Sequence, residues 1–156
     1  MQRVVQGSVA IRSVGTVLLM VLSLAGSLRA DLKQVLAERN LQRRSILAVE
    51  NAVKAYQTMR TAYETGELEA VSAAATEIQE SVQVAHAALV STGKDPRKSP
   101  KYFKKAEIDL RDLVKRLTGF QHQMDFSDRP MLDKVKATVE RIHDELLVGL
   151  MQGKKR

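Results

Sequence analysis

The chain has 156 residues, 44% of them apolar, so it can build a core, and its formal charge of +7 includes Arg3, Arg12 and Arg29 of the N-terminal segment, without which it is too mildly basic to argue for nucleic acid by charge alone. It contains no cysteine, which excludes disulfides, thiol catalysis, cysteine-held zinc or iron–sulfur clusters and covalent haem. With 3 Phe, 3 Tyr and no Trp the core must be Leu, Val, Ile, Ala and Met, and 3 Pro with 8 Gly leave little for the turns of an all-β fold.

Residues 1–30 read as a secretory signal. Arg3 and Arg12 precede the apolar run Val14 to Ala25, and small residues follow it, with cleavage expected after Ala30. The alternative is a retained anchor over residues 13–28. That uncharged run falls short of the roughly 20 residues a span needs, and Arg12 and Arg29 fence it. Without Arg3, Arg12 and Arg29 the remaining chain is less basic, and one domain is expected over residues 31–153.

Asp31 to Arg39 suggests loose helical turns, and Asn40 is suited to cap the next helix. That helix should run from Leu41 to Thr65, with Val49, Ala52, Tyr56, Met59 and Tyr63 on one face, and end at Gly66. A second helix follows from Glu67 to Ser91, carrying Leu68, Val71, Ala75, Ile78, Val82, Ala85 and Leu89. Thr92 to Ser99 is the main loop. Ser99 and Pro100 give a cap and a first helical position.

The third helix should reach Met124. Phe103, Ala106, Leu110, Leu113, Leu117, Phe120 and Met124 alternate steps of three and four without a miss, while Lys104, Lys105, Glu107 and Asp109 between them call for water. Gly119 lies inside it, suited either to close approach of a neighbour or to a slight irregularity of the helix. Ser127 or Asp128 can cap a fourth helix from Pro130 to Met151, with Leu132, Val135, Val139, Ile142, Leu146 and Leu150 inward. Gly153 should end it before the basic tail 154–156. The expected fold is all-α: an up-and-down antiparallel four-helix bundle with coiled-coil-like packing, preceded by a cleaved N-terminal signal helix.

Three stretches, Arg44 to Ala52 (RSILAVENA), Gly93 to Glu107 (GKDPRKSPKYFKKAE) and Phe126 to Leu147 (FSDRPMLDKVKATVERIHDELL), resemble a group of uncharacterised exported helical proteins from soil bacteria of the acidobacterial type. The resemblance implies export and a helical fold. It carries no known activity, so it assigns no functional residue.

Candidate chemistry is sparse. Glu140 and His143 form a single Glu-x-x-His pair, where a di-iron bundle needs two. Met59, Met124, Met131, His86, His122 and His143 supply the residue types of a non-covalent haem carrier, yet Met at stripe spacing is ordinary core filler. No phosphate loop, nucleophile elbow or catalytic triad spacing occurs. The basic run Lys94, Arg97, Lys98, Lys101, Tyr102, Lys104 and Lys105 is the best binding candidate. Its competing reading is a solvated helix start that pairs with the acidic second helix, which has Glu69, Glu77 and Glu80.

The expected function is therefore a non-enzymatic exported bundle that binds or scaffolds in the cell envelope, periplasmic or secreted, with no cofactor. Its partner would be a protein or an anionic envelope component and not nucleic acid. Membrane attachment is expected only if residues 13–28 are kept. The alternative is a small haem or metal carrier.

Overall fold

A computed structural model describes residues 32–152. The signal or anchor assigned to 1–30, Gly153 and the tail 154–156 lie outside the described residues. Residues 32–37 form a short helix, α1. Four long helices follow: α2 (Leu41–Glu64), α3 (Leu68–Ser91), α4 (Pro100–Gln123) and α5 (Asp133–Gln152). There is no strand among the described residues.

The caps and stops follow local chemistry. Asn40 accepts from the Arg43 amide at 3.0 Å, meeting one of the amides that the first helical turn leaves free. Gly66 takes φ 77°, so the chain reverses at once into α3 at a dihedral that a Cβ disfavours. Ser99 departs from expectation, because its side chain makes no capping bond to α4. The fourth helix also starts later than expected. Arg129–Leu132 is a 3-10 turn, and α5 begins at Asp133. Asp128 is drawn away from capping by Tyr63, whose hydroxyl donates to it at 3.1 Å.

The apolar stripes meet in one core. Every stripe residue of α4, from Phe103 to Met124, is buried. So are Val71, Ile78, Val82 and Leu89 of α3, and Val135, Val139, Ile142 and Leu146 of α5. Leu68 is the exception, at 42% exposed, because it lies in the first turn after Gly66, beyond the reach of the core. Tyr63 and Leu150 are only partly buried against it. Gly119 meets nothing within 4 Å, so it accommodates no neighbour.

The helices alternate in direction but do not sit in consecutive order around the core. The α2–α3 hairpin is the closest pairing, α4 packs on α5, and the two hairpins join through α2 with α4 and α3 with α5. Contact between α3 and α4 is slight, so the loop over 92–99 crosses the bundle diagonally. The links across the seam fix the direction. The Tyr56 hydroxyl donates to the Arg116 carbonyl at 3.2 Å, and the Tyr63 hydroxyl accepts from the Asp125 amide at 2.8 Å. α2 and α4 therefore run parallel, and their starts share one end of the molecule.

Small residues explain the tightness of the first hairpin. Ala48, Ala55 and Ala62 recur every seven residues on α2, as do Ala74, Ser81 and Ala88 on α3, and all are buried. Two helix backbones can approach closely where side chains are this short. Within that seam Asn51 Nδ2 donates to Glu77 Oε1 at 2.7 Å and to Ser81 Oγ at 2.9 Å.

Candidate functional site

Because α2 and α4 start together and α3 and α5 end there, one end of the bundle gathers the basic residues. Contact between that end of α5 and the 92–99 loop is direct: a Cβ on Gly149 would lie 3.4 Å from the Pro96 side chain. Lys94, Arg97, Lys98, Lys101, Lys104 and Lys105 are all exposed here. Arg39, Arg43 and the half-buried Arg44, around the start of α2, join them, although the sequence reading did not group them with the run. The signal was present in LKQVLAERNLQRR, but only the parallel placement of α2 and α4 brings it alongside.

The charge is only lightly offset. Among the described residues the carboxylates nearest the tip are Glu38 and Asp95, with Asp109 of α4 and Asp144 and Glu145 of α5 further in. Glu38 meets Arg43 at 3.3 Å. Asp95 turns its side chain back on its own loop, accepting from the Arg97 amide at 2.9 Å. Lys105 pairs with Asp109 at 3.0 Å, one turn along α4. Tyr102 is half-buried against the core, with Lys101 Nζ 5.5 Å from its ring centre. Tyr102 thus anchors the run instead of presenting a free ring.

This arrangement separates the basic run from the acids of the second helix, with which the competing reading could have paired it. α3 lies diagonal to α4, Glu80 is exposed on its own face, and Glu77 is buried against Asn51. Helix dipoles contribute little, since two N-termini and two C-termini share the end and offset each other. The field there comes from side chains.

Elsewhere the structure corrects the role expected of Glu107. It is 6% exposed, not a solvated residue between stripe positions. Its Oε1 lies 3.1 Å from His143 Nε2 on α5, and His143 Nδ1 lies 2.9 Å from Asp144 Oδ1. Arg111 stands 3.8 Å from the same carboxylate. His143 therefore works with Glu107 as a cross-helix polar clasp. No group of three or more metal-ligating side chains forms among the described residues.

His86 of α3 faces Glu145 of α5 at 3.4 Å, and Arg141 holds Glu145 at 2.6 Å. Burial pushes the His86 pKa below its ordinary value. Glu145 opposes that shift and Arg141 adds to it. A groove of about 420 Å³ runs between α2 and α4 over Val49, Val53 and Leu113. Its rim mixes Lys54, Lys105 and Arg116 with Glu50, Asp109 and Asp112, so it favours neither sign of ligand. Among the described residues no helix is long and apolar enough to cross a membrane.

The sequence matches no family model and no curated protein.

Proposed function

We propose that this protein is a non-enzymatic exported helical bundle that binds an anionic component of the cell envelope through its basic end. The observation that carries the reading is the cluster of exposed cations from the start of α2, the 92–99 loop and the start of α4, with few carboxylates at its tip. A solvated helix start would need one row of lysines; cations converging from separate segments make a surface. Export rests on the N-terminal pattern and on the resemblance to exported helical proteins.

The binding reading is tested by retention of the purified protein on an immobilised polyanion. Elution should move to lower salt when Lys94, Lys98, Lys101 and Lys104 are changed together to Gln. Equal elution of the variant and the parent refutes it. Export is tested by intact mass in the native envelope fraction. Loss of about 30 residues is expected, whereas a full-length membrane-bound mass means that residues 13–28 act as an anchor.

A further inference from the structure

The basic end carries a second property that a site for a soluble anion does not need. Large apolar side chains left exposed among the described residues are concentrated there. Val90 is 60% exposed in the last turn of α3, Val148 is 44% and Met151 71% exposed in the last turns of α5, and Leu36 of α1 is 49% exposed. At the opposite end Phe126 and Leu68 are the comparable cases, and the charge around them is mixed, with Glu64, Glu67, Glu69, Asp125 and Asp128 nearby. Cations interleaved with protruding apolar groups suit a phospholipid surface. The ammonium and guanidinium heads meet phosphates, while short apolar groups reach the acyl boundary.

We propose that the anionic partner is a phospholipid bilayer, on which the bundle stands end-on through Lys94, Lys98 and Lys101 with Val90, Val148 and Met151 at the boundary. The proposal rests on the anion-binding reading and narrows it to one kind of surface. It predicts that binding needs both negative lipid and the basic end, and that the Phe126 end stays in water.

The absence of cysteine allows a single environment-sensitive dye to be placed on the full chain. Ser99→Cys labels the basic end and Ser127→Cys the opposite end, and both positions are exposed. Each is mixed with vesicles of phosphatidylcholine alone or of phosphatidylcholine with phosphatidylglycerol. The label at position 99 should enter an apolar environment, with affinity raised at least about tenfold by the anionic lipid. The label at position 127 should not respond. Lys98→Glu with Lys101→Glu should remove about tenfold or more of that affinity, with unchanged helical circular dichroism.

Equal responses at the two positions overturn end-on docking, as does a response indifferent to lipid charge or to the charge reversal. Dextran sulfate and polyglutamate separate the two levels of the account. Binding to either without binding to anionic vesicles refutes the bilayer and leaves the anion-binding reading intact. Binding to none of the three removes both.

Discussion

Leu113 illustrates how a single side chain reports on the core. It sits mid-way along the α4 stripe with no exposure, so Leu113→Ala leaves a cavity that rigid neighbouring helices cannot fully close. The expected loss is about 2–5 kcal/mol in urea unfolding. His86 sets a pH response. Burial lowers its pKa in the folded state, so the unfolded chain binds the proton more readily. The cost is absent well above the ordinary value of about 6.5 and grows as pH falls through it toward the lower folded-state value. Replacing His86 with Gln should flatten that part of the stability profile, measured as urea midpoints across the range, and a profile as steep as the parent's would contradict the assignment. Leu113 was legible in the sequence because a stripe position is a local, periodic property. Glu107 was not. Its place between stripe residues reads as solvent-facing, and only the packing of α5 supplies His143 to receive it.

At the level of elements, the α2–α3 hairpin depends on shortness of side chain. Ala55 is fully buried in that seam. Ala55→Leu should force the helices apart and cost about 1–3 kcal/mol by overpacking, read as a fall in the thermal midpoint. An unchanged midpoint would show that the seam is looser than described. The reversal into α3 is set by Gly66 at φ 77°, where a Cβ meets no neighbour but the dihedral itself is unfavourable. Gly66→Ala is expected to cost about 1–2 kcal/mol for that reason alone. The large-residue stripes, the hairpin and most helix ends could be read from the residues, because spacing and turn chemistry are local. The Ala48–Ala55–Ala62 seam was present as a repeat of seven, yet small residues weigh little against a parallel stripe of larger ones. The diagonal placement of α3 and α4 had no local signature. It follows from which hairpin faces fit, and a loop over 92–99 is long enough to permit either arrangement.

For the whole molecule the consequence of that topology is electrical. Bringing the starts of α2 and α4 together merges two basic stretches, far apart in the chain, at one end. This is why the run at 94–105 was legible as a candidate but its extension to Arg39 and Arg43 was not. Attraction that depends on such a surface is screened by salt, with a Debye length of ~10 Å at 0.1 M and ~3 Å at 1 M. The most direct test of the central claim is therefore a lysine footprint. Acetylation rates are measured residue by residue by mass spectrometry, with and without vesicles of phosphatidylcholine and phosphatidylglycerol. The account predicts slowed modification at Lys94, Lys98, Lys101 and Lys104, reversed by high salt, and unchanged rates at Lys115 and Lys134 on the sides and far end. Uniform protection, or protection at Lys134 without Lys98, would contradict it.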